Sequence, residues 1–344
     1  MQAMRRRQFL EIVGLATALH PSALFAAHHL ISNDPLIIEF DFGGHIEPVT
    51  SLDDFTIYNH FSLPVLPPPA DLPIDGEVAH PCKIGIERLI GLTPVKIVAV
   101  LESAGNGTEP RGLMSNGLWE GWRLADVLRI AQPEKEAAWA NFYGADGYAR
   151  SVPLDRVMRS GLLIDRLNGR LLDKIHGLPY RAAFPGWYGM DWVKWLSRIK
   201  VVKEPLASAD SDYLELLRGP GGSDIPRQLP PVQVKSVIVS PLKGALLNVG
   251  KVEISGVAWS GNGISKVEVS ADGGSTWSEA PLDAAETYSW RVWRADLALH
   301  EQGLVTFACR ATDSQGIRQP AVRDPKRLDY FALNEIQRIR CLVV

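Results

Sequence analysis

Cysteine is scarce. The 344-residue chain contains three, at positions 82, 309 and 341, and none stands in a CxxC spacing. That excludes a disulfide-stapled small fold, thioredoxin-type redox chemistry, c-type haem attachment and zinc sites of that spacing. An excess of positive charge is also missing: 36 Lys and Arg stand against 39 Asp and Glu, for a net charge of −3. A general nucleic-acid binder needs a basic balance, so that class drops out. The sequence holds no Walker loop, no Rossmann glycine fingerprint, no His-Glu-x-x-His and no internal repeat. No apolar run reaches bilayer-spanning length, so the mature chain reads as soluble. What is present is ordinary globular material. Hydrophobic residues make 46% and charged ones 22%, too apolar for disorder, and the length suits about two domains. Ten tryptophans mark large buried or stacking surfaces.

The first 27 residues read as an address. Arg5, Arg6 and Arg7 precede Phe9-Leu10, an apolar run from Ile12 to Leu19 and a small-residue end at Ala26-Ala27. Basic start, apolar middle and small end make a secretory signal. The twin arginine points to the route that exports folded proteins, hence to the periplasm. The alternative is a basic start before a buried helix. Export of a folded chain suits a protein whose cofactor is inserted in the cytoplasm.

Residues 30–205 mix short strands and helices without a regular βαβ repeat, which favours α+β. The run 95–101 (VKIVAVL) reads as a buried strand, and Leu124, Val127, Leu128 and Ile130 share a helical face. A second short helix is expected behind Pro153, over 154–158. Residues 206–231 read as a linker, because 219–231 (GPGGSDIPRQLPP) holds four prolines and three glycines. Residues 232–344 turn uniformly β. Val267 and Val269 alternate with polar neighbours ahead of Asp272-Gly273-Gly274, and Val305, Phe307, Cys309 and Ala311 share one face. Short strands with turns between them suggest an immunoglobulin-like antiparallel sandwich. Cys309 then reads as buried and inert, and Cys341 falls on the parity of Ile339 and Val343. A Cys309–Cys341 disulfide is the alternative in an oxidising compartment. Cys82 sits alone beside Pro81 in a loop.

The chemistry-bearing stretch is 168–195: Asn168-Gly169, His176-Gly177-Leu178-Pro179-Tyr180-Arg181, Pro185-Gly186 and Lys194-Trp195. One His, one Arg and one Lys on glycine-punctuated backbone can form a cationic pocket for an anion. On pattern alone the stretch reads first as turn glycines with solvated charges. This run resembles the sulfite oxidase family of molybdenum enzymes. Other pieces follow in the family's order: Phe55 to Pro64 (FTIYNHFSLP), Leu101 to Asn106 (LESAGN), Trp119 to Leu128 (WEGWRLADVL), Tyr148 to Pro153 and Asp212-Tyr213. Trp259-Ser260-Gly261, Ser270 to Trp277 and Ala311-Thr312-Asp313 resemble the family's dimerisation domain.

The resemblance implies an α+β molybdopterin-binding domain over 30–205 followed by an immunoglobulin-like dimerisation domain, and a homodimer. It implies a molybdenum–molybdopterin cofactor held by Asn59, His60, His176, Arg181 and Lys194, with backbone around Ala104, Gly105 and Asn106 lining the metal. It places Tyr213 toward the metal with Asp212 beside it. No haem motif occurs, so electrons would leave through a separate acceptor such as a c-type cytochrome, after oxygen-atom transfer on a small sulfur compound or oxyanion. Three departures fall on the metal and substrate side. Ser103 occupies the position of the metal-ligating cysteine, Tyr58 that of a substrate-binding arginine, and the segment 108–118 is short, with Arg111 its one cation. Ser103 could ligate molybdenum as a hard oxygen donor, could leave water in its place, or could mark lost activity. The reading is therefore an exported oxidoreductase with altered sulfite chemistry; the alternative is a non-catalytic, cofactor-binding or scaffold member of the family.

Overall fold

The computed structural model describes residues 29–65, 71–206 and 213–344. The expected signal segment 1–27 and Asp212 lie outside the described residues. Among the described residues no helix is long and apolar enough to cross a membrane.

The first domain is built on two five-stranded sheets. In one, the strands run in the order Ala149–Pro153, Trp139–Gly144, Leu196–Val202, Leu72–Gly76 and Cys82–Ile84. The expected loop around Cys82 is thus the edge of a sheet. In the other, the order is Arg170–Leu171, Leu162–Leu167, Met114–Arg123 and Pro94–Glu102, with Arg181–Ala183 also paired to Leu162–Leu167. The predicted strand over 95–101 is Pro94–Glu102, whose last four residues are buried. The predicted helices are Leu124–Ala131, which buries Leu124, Val127 and Leu128, and Leu154–Ser160 behind Pro153. Their apolar faces close the core that holds Trp119, Trp122, Phe142, Phe184 and Trp192. The first sheet is mixed, with one parallel pair between Leu196–Val202 and Leu72–Gly76, and the second pairs antiparallel, as α+β requires.

In the second domain a three-stranded sheet (Lys235–Ser240, Gly250–Trp259, Arg291–Leu299) faces a five-stranded one built on Ile264–Ser270, Gly303–Asp313 and Gln337–Val343. Ile254 and Trp293 of the first sheet pack on Phe307, Cys309 and Ile339 of the second, so this is the expected sandwich. The inward face of Gly303–Asp313 carries Phe307, Cys309 and Ala311, all fully buried.

Cys309 and Cys341 are buried as expected, and the disulfide alternative falls. All three cysteines are free. Cys341 is paired in register with Val305, and Cys309 with Gln337, so four residues of strand separate the two thiols, about 13 Å at strand rise. The proline-rich stretch read as a linker contains the strand Asp224–Gln228, hydrogen-bonded to Leu214–Arg218 in a hairpin. Pro226 fits because the hairpin has only two strands, so its missing donor faces no partner. Nor are the domains joined by a tether alone. A third apolar cluster mixes Val100, Ala104, Met114, Tyr188 and Met190 of the first with Val237, Val257, Trp259, Trp290 and Phe331 of the second.

Gly121 tests the core-making pair of Met114–Arg123 with Leu162–Leu167. A Cβ there would overlap the Leu163 carbonyl oxygen and come within 2.9 Å of the Ile164 Cα. Gly121→Ala is expected to cost about 1–3 kcal/mol, read as a lowered denaturant midpoint at unchanged slope.

Candidate functional site

A cavity of about 760 Å³, counted with its open mouth, gathers residues from distant parts of the chain. Thr56, Tyr58, Asn59 and His60 come from in and around the short strand Ile57–Tyr58, Ser103 from the end of Pro94–Glu102, and Asp146 and Tyr148 from the turn after Trp139–Gly144. His176, Arg181 and Lys194 come from the glycine-punctuated stretch, and Tyr213 from the start of the hairpin. The sequence-derived candidates Asn59, His60, Ser103, His176, Arg181, Lys194 and Tyr213 therefore line one cavity. Ala104, Gly105 and Asn106 do not line it. Ala104 is buried against the second domain, with its carbonyl accepting from Ala332 N at 2.7 Å. The Asn106 side chain ties its own loop, donating to Glu102 Oε1 at 3.0 Å and accepting from Leu113 N at 3.0 Å. Both residues shape the loop that presents Ser103.

Sequence reasoning missed Asp146 and the role of Tyr148. The Tyr148 hydroxyl donates to the Met190 carbonyl at 2.8 Å, and burial pushes its pKa far up, so it stays protonated. Burial also raises the Asp146 carboxyl, against the opposing pull of backbone hydrogen bonds, Lys194 and His60. Both residues lie on a turn with no motif of their own. Asp146 had only its proximity to the Tyr148 to Pro153 segment as a signal, and Tyr148 opens that segment. Tyr213 packs on Phe331 at 5.4 Å between ring centroids, and its hydroxyl lies 3.4 Å from His60 Nδ1.

The cationic end carries an electrostatic deficit. Arg181 is 4% exposed, and its two terminal nitrogens reach carbonyls, His176 O and Trp192 O, both at 3.4 Å. Its Nε, the His176 Nε2 and the Asn59 Nδ2 are buried without a hydrogen-bond partner. Burial pushes the Arg181 guanidinium down to about 9. Burial also lowers His176, despite the opposing charge and hydrogen bond of Asp173. Lys194 keeps part of its surface open to the cavity, and its ammonium bonds Asn59 Oδ1. The packed protein around it, with Arg181 adding repulsion, still holds it well below the usual lysine value. The unpartnered Arg181 Nε and Asn59 Nδ2 are donors, and beside under-compensated cations they fit an anionic group such as a pterin phosphate, which would satisfy both.

Residues 60–209 match the oxidoreductase molybdopterin binding domain, and residues 228–328 match the Mo-co oxidoreductase dimerisation domain. The chain is 33% identical over 244 residues to mitochondrial sulfite oxidase of Mus musculus, covering 61% of this chain and 43% of that one. It is 30% identical over 327 residues to sulfite oxidase of Arabidopsis thaliana, covering 79% of this chain and 82% of that one. The chain spans about half the length of the mammalian relatives it matches. The crystal structure of the sulfane dehydrogenase SoxCD from Paracoccus pantotrophus superposes with a TM-score of 0.83 at 27% identity, over 94% of this chain and 90% of that one.

Lys194 links site to stability. A base whose folded pKa is depressed takes its proton in the unfolded chain first, so its contribution to stability is lost as pH falls below the unfolded value, 10.5 for lysine. Lys194→Met is expected to raise the melting temperature of the cofactor-free chain by about 2–4 °C near neutral pH. The gain should shrink toward pH 10.5. The same variant should lose its pterin. Thermal unfolding across pH, with pterin fluorescence, checks both.

Proposed function

The chain belongs to the sulfite oxidase family, and on that premise we propose that it is an exported molybdopterin-dependent oxidoreductase acting on a small sulfur compound and passing electrons to a separate carrier. The observation that carries this reading is the shared cavity, with orphaned buried donors at one end and Ser103 and Tyr213 in the same lining. Asn59, His176, Arg181 and Lys194 would hold the phosphate-bearing end of the cofactor. When bound, molybdenum–molybdopterin supplies two-electron redox chemistry coupled to oxygen-atom transfer.

The chain's own residues do the rest. Leu101, Leu113, Met190 and Trp192 line the cavity with apolar surface and limit water there. The Tyr213 hydroxyl, in reach of His60 Nδ1, can exchange a proton with it while contacting substrate. Tyr148 holds its proton and acts as a fixed donor that spaces the Met190 backbone. Asp212 beside Tyr213 belongs to the same proposal. Ser103 offers an alkoxide oxygen, a hard donor suited to high-valent molybdenum. Absence of a thiolate is also the one feature that favours the second reading, a cofactor-binding member without turnover.

The substrate side of the cavity is poor in positive charge. Its basic lining residues are His60, His176, Arg181 and Lys194, and the last three sit together: the Arg181 guanidinium reaches the His176 carbonyl, and a Cβ on Gly177 would meet Lys194 Cβ at 3.1 Å. Tyr58 lines the cavity and is 41% exposed. Sulfite, a compact dianion, needs clustered charge. We therefore propose a less highly charged sulfur compound as substrate. Periplasmic location, a c-type cytochrome as electron acceptor and a homodimer complete the proposal.

An outward row supports the homodimer. Leu246, Leu342 and Leu304 are neighbours across three paired strands and are 70%, 40% and 76% exposed. Apolar residues in a contiguous exposed row mark an interface, and two-fold pairing is the commonest way to cover one.

Two measurements test the function. Wild type should oxidise sulfite weakly with an artificial acceptor, and Tyr58→Arg should lower the Michaelis constant. One charge-assisted bond is worth about 1.5–3 kcal/mol, or roughly 10–150-fold. Micromolar wild-type affinity for sulfite would return the protein to ordinary sulfite oxidation. Full molybdenum and pterin content without turnover on any sulfur compound would favour the non-catalytic reading. For the homodimer, light scattering should show Leu304→Lys shifting the protein to monomer, and an unchanged dimer would rule this row out as the contact.

A further inference from the structure

Glu102, the residue before Ser103, is fully buried and ionisable. Its partners come mostly from the other domain. Lys235 Nζ lies 2.6 Å from Glu102 Oε1, and the pair is 1% and 0% exposed. The indole Nε1 of Trp259 donates to Glu102 Oε2 at 2.8 Å. Lys235 and Trp259 are cross-strand partners in register, so one ladder rung delivers both donors. The same ammonium donates to the Gly107 carbonyl at 2.9 Å, and Ala332 N to the Ala104 carbonyl at 2.7 Å. Asn106 closes the loop from inside, on Glu102 and on Leu113 N. The loop 102–107 is thereby tied at Glu102, Ala104 and Gly107 to the second domain. Within it sits Ser103, whose backbone amide donates to the Leu113 carbonyl at 2.8 Å.

A buried ion pair is not an economical way to stabilise a fold. Its desolvation cost is comparable with its attraction, and well-packed apolar residues of similar volume often do as well. What a pair with directed donors on both carboxylate oxygens does provide is one fixed geometry. We propose that Lys235 and Trp259 are positioning residues: the second domain, besides pairing subunits, holds the loop that presents Ser103 to the cavity. Each acts through Glu102 and the loop backbone, and neither lines the cavity. The importance of Ser103 rests on the functional reading above, but its placement can be read without any metal.

The test uses the full chain, free of cofactor, with Ser103→Cys as a reporter thiol and Cys82→Ser to remove the half-buried one. Cys309 and Cys341 are buried, and burial pushes the Cys309 thiol up to about 12, so both stay silent. In this background the rate at which a maleimide labels the thiol introduced at position 103 reports local opening of the loop. Lys235→Met should raise that rate about tenfold, and Trp259→Phe by a smaller factor. Lys235→Met also strands a buried carboxylate, which works against folding. The deciding variant is therefore Glu102→Gln with Lys235→Met, which removes both charges. It should recover the melting temperature of the parent and still label about threefold faster or more. A labelling rate within about twofold of the parent in that double variant, with the melting temperature restored, would overturn the proposal and leave the pair a structural strut. Because no cofactor or turnover enters the measurement, failure of the catalytic reading leaves this result interpretable.

Discussion

Two cationic side chains and the histidine beside them, all short of protein partners, govern the site. Arg181 is buried with carbonyls as its hydrogen-bond partners, His176 has an unpartnered Nε2, and the Lys194 ammonium is held well below its usual pKa. Leaving such groups uncompensated costs stability, so they persist only where an anion completes them. Much of the first domain is arranged around that demand. Gly177 lets the backbone pass close to Lys194, at a positive φ of 112°. Trp192 and Trp119 stack near the guanidinium at 5.7 and 5.1 Å, lowering the penalty of its burial through their π faces.

At the other end of the cavity the constraint is geometric rather than electrostatic. The Ser103 loop is short of internal regular structure, and its conformation is set by bonds to the second domain and to Leu113. A domain matched to dimerisation therefore also serves as part of the site's frame. The shared apolar cluster, with Trp259 and Trp290 in the same packing as Met114 and Tyr188, keeps the two domains in the register this requires. Function is thus distributed: cations from one glycine-rich stretch, a tyrosine from the hairpin that follows it, and loop geometry from the sandwich.

Much of this was legible along the chain because it depends on local pattern. The helix at Leu124–Ala131 followed from an apolar spacing, the strand at Pro94–Glu102 from a β-branched run, and the sandwich from period-two alternation. The cationic residues were legible through the family resemblance of their glycine- and proline-punctuated stretch, since the pattern alone left solvated turn charges open. The hairpin within the inter-domain stretch was missed for a related reason. Proline content argues against a central strand, but a two-stranded hairpin leaves one edge open, and Pro226 sits there. Ala104 and Asn106, expected along the metal wall, brace the loop that presents Ser103.

The sequence by itself determined which residue types stand ready: His, Arg and Lys for an anion, and the hydroxyls of Ser103 and Tyr58 where the family resemblance implies a thiolate and an arginine. Those identities are covalent facts, and their chemistry follows from charge and donor type alone. Tertiary structure decided which of them meet. Ser103 and Lys194 are ninety-one positions apart, and Glu102 meets its partner Lys235 across the domain boundary. Such contacts come from packing two domains on a common apolar cluster, and local periodicity carries no information about them. Burial, and with it the depressed pKa values that define the site, exists only once the chain has closed around these groups.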